Sequence, residues 1–418
     1  AKGLVEKKRR NAGRHGIWFE PQAPLMNGGK IAFLYPGIEA AFAPNIQDLW
    51  QALSLPPLPA TASDDLEAHG FALIQLERVL TDVLQATGVS PDVLAGHSIG
   101  EWTGMIASGM IPETAVTDFV DRLVPGSLTV PGVIFLAAGC GVDKIKTVLG
   151  ESADRAVSHD NCPHQVILCG KENVILDAKS TLESERILCQ ILPFRSGFHS
   201  PLFQDFVSPH QKHFEHLPIQ SARVPLWSAT HAGPYSDDPE TIRKTAVSHL
   251  TEPVRFREVI DGLYAEGVRC FLQLGTGSLT GFVNDTLRGK PHMAMAAVDE
   301  QRPALHQLQR LRCALVAAGM NIDPAQVLAS ESQTTPAPVP LALGVPLVHL
   351  DHTLPLSENA SSDMQTVHSN DPVIQEFNHM LQDVVNASTA VVEAYQKEPT
   401  ATPPEKETAA TPPEKETA

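Results

Sequence analysis

The chain is short of positive charge. Its 31 lysines and arginines face 48 aspartates and glutamates, for a net charge of −17 and a pI near 5.4. That balance excludes a broad nucleic-acid-binding surface. Also lacking is any run of about 18 apolar residues, so no segment is expected to span a membrane. The N-terminus, AKGLVEKKRRNAGRHG, is basic but has no apolar stretch behind it, and it does not read as a secretory signal. It has no initiating methionine, which is expected of a piece of a longer polypeptide. Cysteine is scarce: Cys140, Cys162, Cys169, Cys189, Cys270 and Cys313 are the six, and none pair as C-x-x-C. Mostly set in apolar, strand-like runs, they read as reduced core thiols of a cytoplasmic protein, neither metal ligands nor a disulfide framework.

What is present suits a folded protein with a large core. The 418 residues are 43% hydrophobic and 19% charged, enough for two or three domains. Residues 1–29 read as an upstream linker. KIAFLYPG (30–37) is a buried strand ended by a Pro-Gly turn. GFALIQLERVLTDVLQATGV then spaces Phe71, Ile74, Leu76, Val79, Leu80, Val83 and Leu84 as on one face of a helix. DVLAGHSIGEWTGMIASGMI follows as strand, tight turn and helix. This alternation predicts an α/β fold with a mostly parallel sheet, here assigned to 30–129 and 194–322. Between them, 130–193 reads βαββαβ, the order of a ferredoxin-like unit inserted into the larger one. Residues 323–371, rich in Pro, Ser, Thr and Ala, read as linker. An amphipathic helix is expected over 372–397, with Phe377, Leu381, Val384, Ser388, Val391 and Tyr395 on a narrow seam. The end, 398–418, carries ATPPEKETA twice and is expected to be a disordered linker tethering further modules.

The chemistry-bearing stretch is AGHSIGEWTGMI. G-x-S-x-G after a strand and before an apolar helix fits a nucleophile elbow, with the Ser98 hydroxyl held out by a strained turn. The Ile99 N–H, at the helix start, is placed to stabilise an oxyanion.

Six motifs occur in one order: YPGIEAAF (35–42), GHSIGE (96–101), DNCPHQVILCG (160–170), SGFHSPLF (196–203), HLTEPVRF (249–256) and LQLGTGSLTGF (272–282). In these the chain resembles the acyltransferase domains of type I polyketide and fatty acid synthases, similar to malonyl-CoA:ACP transacylases, over about residues 30–320. The resemblance implies an α/β-hydrolase-like large subdomain with a ferredoxin-like small one. It implies Ser98 as nucleophile, His199 as general base, and the His249 backbone carbonyl as the group orienting that imidazole. A carbonyl suffices for this task, so the side chain at 249 is weakly constrained, and no carboxylate completes a triad. The Ile38 N–H would be the second oxyanion donor, although Ile replaces a family glutamine there. His97, Asn161 and Phe198 would line the substrate site; for His97 a structural role is the open alternative. The implied partners are acyl-CoA as donor, the phosphopantetheine thiol of an acyl carrier protein as acceptor, and neighbouring synthase modules. No bound cofactor or metal is implied.

One position departs from the pattern. Malonyl-using relatives carry an arginine 25 residues after the nucleophile, where this chain has Leu123. Arg122 is adjacent, but one helical step turns a side chain by about 100°. A buried malonyl carboxylate without a partner would cost several kcal/mol, so Leu123 favours a neutral acyl group. Phe198, by contrast, stands where malonyl-selecting relatives also have Phe. An acyl hydrolase clearing stalled carrier thioesters and a degenerate docking domain remain the competing readings. Arg195, Arg255 and Arg257 lie near the motifs as candidate contacts for an acidic carrier.

Overall fold

The computed structural model describes residues 10–13, 16–39, 42–58, 66–121 and 128–322. Arg122, Leu123, and the linker, amphipathic helix and repeat expected after residue 322 lie outside these.

KIAFLY forms strand β3 (Lys30–Tyr35), and every residue after Lys30 is buried. An unbroken apolar run of this kind suits a strand covered on both faces. It pairs in parallel with β4 (Val93–Gly96) and β11 (Val268–Gln273), which are flanked by β9 (Leu226–Ser228) and β12 (Met293–Ala296), also parallel. At the rim, β10 (Gly233–Pro234) runs antiparallel, completing a six-stranded sheet ordered β10-β9-β4-β3-β11-β12. Side chains alternate along β3. Ile31, Phe33 and Tyr35 join the larger core with α2 (Leu66–Ala86), α3 (Gly100–Ala107), α4 (Glu113–Asp121) and α11 (Ala304–Ala317). Ala32 and Leu34 face a second core with α9 (Phe256–Ala265) and α10 (Leu279–Thr286). Helices α1 (Gln47–Ala52), α7 (Ser208–His216) and α8 (Pro239–Ser248) complete this body. No described helix is long and apolar enough to cross a membrane.

The inserted unit is a second, four-stranded sheet of β5 (Val133–Ala138), β6 (Arg155–Cys162), β7 (Gln165–Lys171) and β8 (Cys189–Ile191). All its pairings are antiparallel and its order is β6-β7-β5-β8, the ferredoxin-like arrangement. Helices α5 (Val142–Leu149) and α6 (Glu172–Ser184) cover one face through Ile145, Ile175 and Leu182. The other face turns Val133, Phe135 and Cys169 into the large body's core. Strand β6 also runs onto the loop before α9: the Asp160 N–H donates to Val254 O, and the Val254 N–H to Ser158 O, both at 2.9 Å.

Two details differ from the sequence expectation. Within the segment read as linker, β1 (Asn11–Ala12) pairs with β2 (Trp18–Phe19), turning at Gly13 with φ +82°. The cause is the Trp18 side chain, which packs on the large core and lies under the Arg310 guanidinium of α11, 5.4 Å from its ring. The last strand of the insert stops at Ile191, although the apolar run continues to Phe194. Phe194 is buried in the large core, so the chain leaves the sheet to reach it.

Candidate active site

The elbow is built by close approach. A Cβ on Gly96 would meet Glu101 N at 2.1 Å, and one on Gly100 would meet Tyr35 O at 2.2 Å. Only glycine lets β4, the turn and α3 fit at this spacing. Ser98 sits between them at φ +56°, a left-handed conformation that L residues rarely adopt. His199, 101 residues on, is also left-handed, at φ +59°. Strain of this kind in a buried, hydrogen-bonded pair points to a functional constraint.

The Ser98 hydroxyl donates to His199 Nε2 at 2.7 Å. On the far side of the ring, the Nδ1–H donates to the His249 carbonyl at 2.8 Å, which fixes the tautomer. The His199 N–H donates to Leu250 O at 2.7 Å, so the segment after α8 holds the histidine at two points. Burial pushes the His199 pKa well below the ordinary imidazole range, with smaller contributions from the rings of His249 and His159. The ring is therefore neutral at pH 7, its Nε2 lone pair on the serine. This arrangement can accept the serine proton and later return it.

Two N–H groups flank Ser98. Those of Ile99 and Ile38 have no acceptor among the described residues. The backbone before Ile38 abuts the elbow: a Cβ on Gly37 would lie 2.8 Å from Ser98 Cβ. Ser98, His199, Ile38 and Ile99 line one pocket with Trp102, Leu128, Phe198, His249 and Leu250. Its empty volume is about 330 Å³, including space open to solvent, and no lysine or arginine is among the described residues that line it. The Phe198 ring lies 5.1 Å from that of His199.

His97 and Asn161 are brought together, but they do not line this pocket. The His97 Nε2–H donates to Asn161 Oδ1, and Asn161 Nδ2 donates to Gln165 Oε1, both at 2.8 Å. Burial lowers the His97 pKa to about 4. Leu123 lies outside the described residues. Of the three candidate carrier contacts, each has an internal partner. Arg257 pairs with Asp160 at 2.6 Å, Arg195 with Glu172 at 3.4 Å and Arg255 with Glu258 at 3.6 Å. Among the described residues, no three His, Cys, Asp or Glu side chains group as metal ligands.

Three contributors are not visible as such in the sequence. His159, one of seventeen histidines and in no catalytic motif, stacks on His97 at 5.2 Å and meets His199 edge-on at 4.9 Å. Glu101, the last residue of GHSIGE, is fully buried behind the elbow. The His249 side chain, expected to be weakly constrained, is 1% exposed and donates through Nε2 to the Ser98 carbonyl at 2.9 Å. For Glu101 and His249 the motifs GHSIGE and HLTEPVRF are signals; for His159 there is none.

A strand–turn–helix elbow bearing a buried, hydrogen-bonded serine and histidine defines the class, an α/β fold with a serine–histidine pair at the carboxyl end of a parallel strand. Within that class the chain belongs to the acyl transferase domain family, whose pattern matches residues 42–327. The malonyl CoA-acyl carrier protein transacylase of Bacillus subtilis is 26% identical over 314 residues, covering 67% of this chain and 98% of the relative. A polyunsaturated fatty acid synthase subunit from a Thraustochytrium species is 24% identical over 251 residues, 58% of this chain and 9% of that protein. In fold, the acyltransferase domain from the second module of the salinomycin polyketide synthase is similar. Its TM-score is 0.66 at 22% identity, covering 81% of this chain and 85% of that one. The chain thus spans nearly the whole of the bacterial transacylase but a small fraction of the much longer synthase.

Proposed function

We propose that the protein transfers an acyl group from acyl-CoA, through an ester on Ser98, to the phosphopantetheine thiol of an acyl carrier protein in a polyketide or fatty acid synthase. The observation that carries this reading is the 2.7 Å contact between Ser98 Oγ and a neutral His199 whose Nδ1–H is held by the His249 carbonyl. His199 Nε2 takes the serine proton as Oγ attacks the thioester carbonyl. The Ile38 and Ile99 N–H groups bind the oxyanion. As the carbon–sulfur bond breaks, His199 returns the proton to the departing CoA sulfur. The carrier thiol then gives its proton to His199, its sulfur attacks the Ser98 ester, and Ser98 leaves with the proton.

A neutral, short acyl group is the proposed cargo. Leu123 at the place of the carboxylate-pairing arginine supports this. Phe198, whose ring lies 5.1 Å from that of His199, narrows the pocket beside the base.

Intact-mass measurement with a panel of acyl-CoAs tests both parts. Short neutral acyl groups should give an adduct that Ser98→Ala abolishes and that moves to a carrier protein; Leu123→Arg should gain malonyl loading of at least about tenfold. Turnover to free acid without transfer would replace this reading with a hydrolase. Efficient malonyl loading of the unaltered chain would overturn the neutral cargo.

A further inference from the structure

The elbow is held from behind as well as from the cleft. The Ser98 carbonyl accepts two hydrogen bonds at 2.9 Å, from the Glu101 N–H and from His249 Nε2. A carbonyl oxygen only accepts, so His249 carries a proton on Nε2. Its other nitrogen, Nδ1, lies 3.1 Å from Thr230 Oγ1 and 3.4 Å from Glu101 Oε2. Glu101 is itself clamped. The Ser228 hydroxyl donates to it at 2.7 Å, the Ala229 N–H at 2.9 Å and the Tyr235 hydroxyl at 2.5 Å.

The Ser98 carbonyl and the Ile99 N–H are the two ends of one planar peptide unit. Donors on the oxygen fix the rotation of that plane. They also draw electron density toward the oxygen, which strengthens the N–H at the other end as a donor. The Glu101 carboxyl stands beside Nδ1, on the opposite edge of the ring from the Nε2–H that holds the Ser98 carbonyl.

We infer that Glu101 and His249 form a positioning pair for the oxyanion site, holding the Ser98–Ile99 peptide with its N–H turned toward the pocket. His249 acts through two different atoms. Its backbone carbonyl orients the base, and its side chain sets the peptide that follows the nucleophile. Neither residue exchanges a proton with the acyl group. This inference rests on the acyl-transfer reading above, since it assigns the Ile99 N–H to the oxyanion.

Loading kinetics separate the two atoms, because no substitution at 249 removes the carbonyl. His249→Ala should lower kcat for Ser98 acylation roughly 10- to 100-fold, with KM within about twofold. His249→Gln, whose side-chain amide can still donate to the Ser98 carbonyl, should recover most of that loss. Glu101→Gln keeps the buried shape and should lower kcat several-fold. Thermal unfolding of each variant shows whether it is folded at the assay temperature. Full kcat in folded His249→Ala would overturn the inference, as would a Gln variant no better than Ala. If the Ala variant does not fold, unchanged kcat in Glu101→Gln overturns it instead. An unaltered protein that forms no Ser98-dependent adduct with any acyl-CoA sinks the acyl-transfer reading itself, and this inference with it.

Discussion

Ser98 and His199 both occupy left-handed backbone positions, each at a cost of about 1 kcal/mol for an L residue. Both stay there because their backbone groups are tied down, the Ser98 carbonyl by His249 and the His199 N–H by Leu250. Around them stand neutral, buried imidazoles, which make the protein sensitive to acid. The His97 pKa falls from the usual 6.5 to about 4, chiefly by burial. As pH drops through 6.5 the unfolded chain takes up that proton, whereas the folded chain does so only near 4. His97 thus contributes stability that is present above pH 6.5 and lost below it. His97→Asn should flatten the fall in unfolding free energy between pH 7.5 and 4 by about 3 kcal/mol. Urea unfolding across that range checks this, and an unchanged slope would contradict it.

At the level of elements, the strands and helices were legible because their periodicities are clean. KIAFLY reads as a doubly covered strand, and the βαββαβ order of 130–193 reappears as the antiparallel sheet. Ser98, Ile99 and His199 could be picked out because motifs surround them. What could not be read was the side-on contact. His159 reaches His199 only through the way the inserted sheet docks, and the Trp18 hairpin depends on Arg310, almost three hundred residues away. Another such contact lies between α2 and α3. Glu77 is fully buried, Thr103 donates to its Oε2, and its Oε1 has no partner among the described residues. Burial raises its pKa well above the usual carboxyl value. The folded chain therefore keeps a proton that the unfolded chain releases above about pH 4.5, and stability falls as pH rises through that range. Glu77→Gln removes this dependence. It should be nearly neutral at pH 4.5 and stabilising by about 1 kcal/mol or more at pH 8, as read by urea midpoints at the two pH values.

Across the whole molecule, three consecutive residues of β6 tie the inserted sheet to the catalytic body. His159 meets His199, Asp160 takes a two-pronged bond from Arg257, and Asn161 accepts from His97. Asp160 is nearly buried, while Arg257 is 37% exposed, so solvent screens part of their attraction. Arg257→Ala should cost about 1–2 kcal/mol and, by loosening β6, slow Ser98 acylation about tenfold. Unchanged acylation in a destabilised variant would confine the pair to a structural role. The underside of the same sheet has a consequence for grafting. Val133, Phe135 and Cys169 belong to the large body's core, not to that of the insert. An exchange of residues 130–193 between related domains would therefore cut through packed side chains, leaving mismatched volumes where Phe135 meets Phe198 and where His159 meets His199. Chimeras meant to change acyl preference should keep Phe135 with its neighbours on both sides of the seam, or redesign the seam as one surface.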